Sequence, residues 1–205
     1  MSTVAGSIMV LYANVLTRVI DGAIGHVLTA SVVNVVGAVL VSRVLIPEER
    51  ITEGGDLADA LSYESSMDAV ARGTVDGVRL VVNVGAMVIV LMSLVGLVNY
   101  MLGNFMVSGE PLTLQWLVGW VFAPIAWIMG VDWVDAQTAG ALLGTKLILN
   151  ELVAYLEFGA LGDSLLPNTR LILTYALCGF TNFGSLGILI GGVSALVPER
   201  RKDLL

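Results

Sequence analysis

The sequence predicts an all-α integral membrane protein, and its composition and the distribution of its charges support this fold class. The 205 residues are 57% hydrophobic and 13% charged, with a mean hydropathy of +0.88, whereas soluble domains carry roughly 25% charged residues. No Asp, Glu, Lys or Arg occurs in residues 80–109 or in residues 171–198. Each run exceeds the roughly 20 apolar residues that a helix needs to cross a bilayer. This composition excludes a soluble enzyme.

Three apolar segments and one polar interval follow one another along the first half of the chain. Residues 1–46 predict two membrane helices, which Arg18 and Asp21 separate. Residues 47–79 are polar, and their apolar side chains are too sparse to span a bilayer, so they predict an interfacial segment with an amphipathic helix. Residues 80–107 carry no charge and predict the next membrane helix.

The second half of the chain departs from simple membrane spans. Residues 111–163 begin as an apolar run with Pro124 inside it, and charged residues then interrupt the apolar pattern. This pattern fits two ordinary spans poorly and predicts a re-entrant helical hairpin. Residues 171–197 form the last uncharged segment. Its five glycines, with Thr181 and Asn182 near the middle, predict a membrane helix that is broken by local unwinding.

The basic residues predict the orientation of these segments. Arg50, Arg72 and Arg79 lie in the polar interval, and a second basic cluster at residues 200–202 follows the last segment. Cytoplasmic loops of membrane proteins carry an excess of Lys and Arg, so both clusters are expected on the cytoplasmic side of the bilayer. A hairpin that enters the bilayer from outside and leaves on the same side keeps both basic clusters on the cytoplasmic side. The pattern indicates a multi-pass protein of the plasma membrane, with a bacterial or archaeal cytoplasmic membrane as the expected location.

Glu151 is the strongest candidate for a functional side chain. Ionisable residues at membrane depth cost about 2.5–3.5 kcal/mol on insertion scales and usually serve a function; the alternative is a protonated or water-exposed carboxyl near a hairpin tip that binds nothing. Asn182 and Ser185 are three residues apart and share a helix face. Unwinding beside Gly184 would free backbone carbonyls for a ligand or an ion, although interhelical hydrogen bonding is an equally favoured role for this pair.

Other features of the sequence narrow the class of function. It contains no nucleophile–base set, no phosphate-binding loop and no basic aromatic patch, so neither an enzyme nor a nucleic-acid partner is expected. Gly140 and Gly144 have the spacing of closely packed membrane helices. The residues alone therefore predict a membrane protein with a polar site at the midplane of the bilayer, which is typical of a transporter.

Several specific strings occur in order along nearly the whole chain. They are TVAGSIM at 3–9, SMDAVARGTVDGVRL at 66–80, FAPIAWIMGV at 122–131, GTKLILNELVAY at 144–155, YALCGFTNFGSLGI at 175–188 and the closing VPERRKDLL. These strings resemble the concentrative nucleoside transporters. Leu152 and Thr181 depart from the Phe and Ala that are usual in that family.

The resemblance implies a carrier that imports nucleosides such as uridine across the lipid bilayer, driven by a Na+ or H+ gradient. It implies a homotrimer whose subunits each contain two re-entrant hairpins and two broken helices. The first helix of residues 1–46 would be one of the broken helices. No cofactor is implied beyond the coupling ion.

The family pattern also assigns site residues to positions of this chain. The Asn-Glu pair of the hairpin and the Asn and Ser of the broken helix would bind the ribose, an earlier residue would face the base, and two residues before it would supply oxygen atoms to the cation. These positions are Asn150, Glu151, Asn182 and Ser185 for the ribose, Ile8 for the base, and Thr3 and Val4 for the cation.

The resemblance begins inside the first broken helix and ends before the family's last membrane helix. An N-terminal half, with a first hairpin that carries a Gln-Thr-Glu motif, is therefore expected to be missing from this chain. The expectation is the C-terminal portion of a transporter, with the ribose-binding half of the site. The alternative is a truncated or accessory membrane subunit of a split carrier, without transport activity of its own.

Overall fold

The computed structural model describes residues 6–47, 64–107 and 109–185, which are mostly helical. Besides the helices, this part of the chain contains one antiparallel ribbon of two short strands, Met106–Val107 and Glu110–Pro111, which the prediction of an all-α protein did not include. The helices are α1 (Gly6–Leu16), α2 (Ala23–Leu45), α3 (Ser66–Leu102), α4 (Leu114–Ile128), α5 (Trp133–Ile148), α6 (Glu151–Leu161) and α7 (Pro167–Leu177), with a single 3-10 turn at Gly162–Ser164.

Helix α2 has the length and exposure expected of a membrane-spanning helix. It is long and apolar enough to cross a bilayer by itself. Its buried side chains, Ala23, Val27 and Ala30, lie in its first two turns. Further along, Val36 is 66% exposed and Leu40 is 64% exposed. An apolar surface of this extent is incompatible with water and is the surface that a lipid-facing helix presents.

Helix α3 differs from the element boundaries predicted for this region. The sequence placed an interfacial segment before residue 80 and a membrane helix over 80–107, but one helix runs without a break from Ser66 to Leu102. No proline interrupts its backbone hydrogen bonds. It ends five residues earlier than predicted, at Leu102, because the chain then turns into the short ribbon, whose turn contains Gly109 with a φ of 88°. The position of residues 66–79 at the cytoplasmic surface stays a prediction.

Helices α4 and α5 fold back on each other at residues 129–132, where the chain direction changes by 118°. Their contact depends on glycine. A Cβ atom on Gly140 would clash with the backbone of Gly119 and would lie 2.8 Å from the nitrogen of Ala123, and one on Gly144 would clash with Val118. The close packing predicted for Gly140 and Gly144 is therefore confirmed.

The helical pair α4–α5 occupies most of the region predicted as a re-entrant hairpin, residues 111–163. That region also contains α6, which begins at Glu151 after a sharp turn in the backbone at Leu149. The return of α4–α5 to the same side of a membrane stays a prediction.

Helix α7 ends inside the last predicted membrane segment. It begins with Pro167 at its first turn and ends at Leu177, after which Cys178 adopts an extended conformation. Helical structure resumes only at Phe183. The interruption thus includes Thr181 and Asn182, where the sequence predicts unwinding. The remainder of that segment, from residue 186 onwards, lies outside the described residues.

The buried core lies where α1, α2, α5, α6 and α7 meet. Gly159 of α6 allows α1 to approach closely, since a Cβ atom there would lie 2.7 Å from Cγ1 of Val15. In a membrane such packing, rather than transfer from water, holds helices together. The largest fully buried side chains of the core are Tyr12, Leu16, Val27, Tyr155, Phe158, Leu173 and Leu177.

Candidate functional site

The start of α6 carries the acidic residue that the sequence singled out. Asn150 is the N-cap residue of α6, and its Oδ1 accepts a hydrogen bond from the backbone N–H of Val153 at 2.9 Å. Glu151 follows as the first residue of the helix and is 4% exposed. A helix N-terminus stabilises negative charge, so the local fold supports a buried carboxylate at this position.

Both oxygens of Glu151 have a hydrogen-bond partner from another helix or loop. The hydroxyl of Tyr12 in α1 donates to Oε1 at 2.9 Å, and Nδ2 of Asn182 donates to Oε2 at 3.3 Å. Sequence reasoning found Glu151 and Asn182 but missed Tyr12. The available signal was a tyrosine inside an apolar helix, because a buried phenol needs a partner for its hydroxyl.

The loop after α7 is held in shape by mutual hydrogen bonds between Asn182 and Ser185. Oδ1 of Asn182 accepts from the backbone N–H of Ser185 at 2.7 Å, and Oγ of Ser185 accepts from the backbone N–H of Asn182 at 3.0 Å. Oγ of Ser185 also lies 2.7 Å from the carbonyl oxygen of Asn182 and donates to it. In this structure the Ser185 side chain therefore fixes the turn that presents Asn182.

A cavity of about 150 Å³ opens beside Glu151 and is enclosed by side chains of α1, α3, the start of α6 and the loop after α7. Its polar lining consists of Tyr12, Asn150, Glu151 and Asn182, and most of the remaining wall is apolar. An apolar cavity with a few converging polar groups is the usual form of a small-molecule site. The apolar wall is formed by Ile8, Leu11, Val88, Leu91, Leu149, Leu152 and Phe180.

The C-terminal end of α7 has backbone carbonyls that no helical N–H reaches. Side chains from three other helices donate to them instead. The hydroxyl of Tyr155 in α6 donates to the carbonyl of Thr174 at 2.9 Å, and Nζ of Lys146 in α5 donates to that of Ala176 at 2.8 Å. Nδ2 of Asn34 in α2 donates to the carbonyl of Cys178.

The structure brings most of the predicted substrate residues together. Asn150, Glu151, Asn182 and Ile8 all line the one cavity, although they come from three separate parts of the chain. Thr3 and Val4, predicted to contact the cation, lie outside the described residues. In residues 6–47, 64–107 and 109–185 no three His, Cys, Asp or Glu side chains are grouped as a metal site.

Apolar helices that are interrupted around a cavity with a buried carboxylate and a buried amide define a class of protein, the secondary membrane transporters. The particular family follows from sequence comparison: residues 26–205 match the family described as "Na+ dependent nucleoside transporter C-terminus". The chain belongs to this family of membrane transport proteins, which are not enzymes. The resemblance seen in the sequence is thereby confirmed.

Similar curated proteins come from bacteria and from mammals. The chain is 35% identical over 210 residues to the "Uncharacterized transporter YutK" of Bacillus subtilis, covering 100% of this chain and 51% of that protein. It is 33% identical over 213 residues to the "Nucleoside permease NupC" of Helicobacter pylori, with 100% and 49% coverage. It is 34% identical over 223 residues to the "Sodium/nucleoside cotransporter 1" of Rattus norvegicus, with 98% and 34% coverage.

Solved structures of CNTnw have the same fold. The inward-facing substrate-bound state has a TM-score of 0.80 and 34% identity, covering 99% of this chain and 48% of that chain. A variant in an outward-facing state has a TM-score of 0.81 and 35% identity, with 100% and 49% coverage. The chain therefore spans about half the length of the bacterial relatives and structures that it matches.

Proposed function

We propose that this chain forms the ribose-binding half of a cation-coupled nucleoside importer in the plasma membrane. The observation that carries the proposal is the meeting of the Glu151 carboxylate and the Asn182 amide at one cavity, in a member of a nucleoside transporter family. A carboxylate accepts hydrogen bonds from neighbouring hydroxyls, and an amide both donates and accepts. Together they match the hydroxyl groups of a ribose.

The apolar wall suits the other half of a nucleoside. Ile8 of α1 and Phe180 of the loop after α7 also line the cavity, and a base can pack against such side chains. Asn150 completes the polar lining and keeps its Oδ1 on the backbone of Val153.

The importer is proposed to use Na+ or H+ as the coupling ion, with Thr3 and Val4 as ligands of the cation. The family description and the name of the rat cotransporter support Na+. The functional unit is proposed to be a homotrimer whose subunits also need the N-terminal half that the relatives possess. A truncated or accessory subunit of a split carrier is the second candidate, because the chain covers only about half of the length of its bacterial relatives.

Uptake of radiolabelled uridine tests the proposal. Cells that lack nucleoside uptake would make either the chain alone or a chimera in which the chain replaces the matching half of CNTnw. Saturable, Na+-dependent or H+-dependent uptake by the chimera is expected. Uptake by the chain alone would contradict the need for an N-terminal half, and no uptake by a membrane-inserted chimera would contradict the proposed function.

Glu151→Gln is expected to reduce uptake by the chimera to background, because a neutral amide cannot accept hydrogen bonds with both of its polar atoms. Glu157→Gln is the matched control. It makes the same chemical change on the same helix, at a residue that does not line the cavity, and should leave uptake within about twofold of the unsubstituted chimera. Full uptake by Glu151→Gln would remove Glu151 from the ribose site.

A further inference from the structure

Tyr12 is a buried polar residue for which neither the sequence nor the family resemblance assigned a role. It lies in α1 and is 1% exposed, yet its hydroxyl reaches across to α6 and donates to Oε1 of Glu151 at 2.9 Å. The two residues are 139 positions apart in the chain. Both contribute to the lining of the cavity.

We propose that Tyr12 is the positioning residue for Glu151: it holds one carboxylate oxygen so that the other is directed at the ribose, and it thereby sets the preference for ribose hydroxyl groups. This inference rests on the proposed function. It adds to that function a residue of α1 that acts on the ribose through Glu151.

The first argument is the unequal hydrogen bonding of the two carboxylate oxygens. Oε1 is held at 2.9 Å by Tyr12, whereas the contact of Oε2 with Nδ2 of Asn182 is longer, at 3.3 Å. A longer hydrogen bond is the weaker one. A ribose hydroxyl that donates to Glu151 therefore replaces the contact at Oε2 and leaves the bond to Tyr12 intact.

The second argument is that the Tyr12 ring is itself fixed. It packs against the ring of Tyr155 with a centroid distance of 4.8 Å and an interplanar angle of 40°. The hydroxyl of Tyr155 is in turn held by the carbonyl of Thr174. A phenol on a rigid ring loses little side-chain entropy when it orients a carboxylate, as a residue that positions a binding group should.

The third argument concerns the electrostatics of the site. An ionised carboxylate that has left water needs donors for its lone pairs. Glu151 is 4% exposed, and the side chains that donate to it in the described part of the chain are Tyr12 and Asn182. Without the phenol, Oε1 would turn towards the cavity in search of a donor, so that the carboxylate no longer presents one defined oxygen to the substrate.

The test compares Tyr12→Phe with Tyr155→Phe in the chimera with CNTnw. Each substitution removes one buried phenol hydroxyl from the same aromatic pair, but only the first removes a bond to Glu151. Uptake would be measured for uridine, 2′-deoxyuridine and 3′-deoxyuridine. KM and maximal rate would be determined separately, and the amount of inserted protein would be determined for each variant.

Tyr12→Phe is expected to raise KM for uridine about tenfold, as for a lost hydrogen bond to a charged group. This increase should fall to less than about twofold for the deoxynucleoside that lacks the hydroxyl bound by Glu151. Tyr155→Phe keeps the ring that packs against Tyr12, and the bond that it removes goes to the Thr174 carbonyl and not to Glu151. It should therefore change KM by the same factor for all three nucleosides.

An equal change in KM for all three nucleosides with Tyr12→Phe would overturn the inference and leave the proposed function standing. Absence of saturable uptake by the unsubstituted chimera would overturn the proposed function, and the inference with it. Measurement of uptake by the unsubstituted chimera therefore distinguishes failure of the proposed function from failure of the inference about Tyr12.

Discussion

The start of α6 and the end of α7 are both interrupted helix ends inside the buried core, but their backbone groups are satisfied in different ways. At the start of α6 the capping acceptor is local, because Oδ1 of Asn150 accepts from the N–H of Val153. At the end of α7, three carbonyls take their donors from three other helices, through Asn34, Lys146 and Tyr155.

The difference follows from the chemistry of the two ends. Unpaired N–H groups need an acceptor, and the short side chains of Asn, Asp, Ser and Thr bring one back onto their own backbone. Unpaired carbonyls need a donor, and in water they find one in the solvent. In a membrane that donor has to come from another helix. The end of α7 therefore depends on tertiary structure, and the start of α6 depends mainly on local sequence.

The largest effect is expected for Lys146→Met, which removes one of the three donors that other helices supply to the end of α7. The substitution leaves the carbonyl of Ala176 without its charged donor, which costs about 2 kcal/mol. That figure is a net value that already includes the desolvation of the half-buried ammonium, which lines a cleft between α2 and α7. Cys178, the single cysteine of the chain, is buried beside this carbonyl, so its modification by a thiol reagent reports local opening. The rate at which the reagent modifies Cys178 should be roughly 30-fold higher in Lys146→Met than in the unsubstituted protein.

Arg72→Met is the matched control for that experiment. It also replaces a cation with methionine, but Arg72 pairs with Asp68 on the exposed surface of α3, far along the chain from α7. Exposed ion pairs contribute about 0–1 kcal/mol, and the reactivity of Cys178 should stay unchanged. An unchanged rate with Lys146→Met would mean that the end of α7 does not need its remote donor.

A smaller effect is expected for Asn150→Ala, which removes the N-cap hydrogen bond at the start of α6. Loss of an N-cap costs about 1 kcal/mol, so hydrogen exchange at the amide of Val153 should accelerate roughly fivefold. Asn150→Ser should restore most of the protection, because any short side-chain acceptor can serve a local cap. Measurements without nucleoside keep substrate binding out of the comparison. Failure of Ser to restore protection would show that this end, too, depends on its surroundings.

The same contrast explains which features could be predicted from the sequence. Glu151 was identifiable because a carboxylate in an apolar region is costly. Asn182 and Ser185 stood out as polar residues three apart in an apolar segment, although the structure joins them by mutual hydrogen bonds in a turn and not as neighbours on one helix face. The break in the last segment was predictable from its glycines and from Thr181-Asn182. All of these are local patterns.

What escaped prediction was the pairing of distant residues. Asn34 looked like one polar residue in an apolar helix, and only the fold brings it to Cys178, 144 positions later. Tyr12 and Glu151 are brought together in the same way. The continuity of α3 through residue 80 was not predicted either, because a change from polar to apolar composition does not interrupt backbone hydrogen bonds.

The smallest effect is expected for Ser65→Ala, which separates the chemistry of an N-cap from its burial. Ser65 caps α3 much as Asn150 caps α6, since its side chain accepts from the backbone N–H of Asp68 at 3.1 Å. Ser65 is exposed, whereas Asn150 is buried, so water can replace the lost acceptor and the cost should be near 0.5 kcal/mol, the lower end for N-caps. Exchange at the amide of Asp68 should accelerate only about twofold. Exchange at Asp68 that accelerates as much as exchange at Val153 does in Asn150→Ala would mean that burial adds nothing to the strength of a local cap. The contrast between the start of α6 and the end of α7 would then reduce to the number of backbone groups that need a partner at each end.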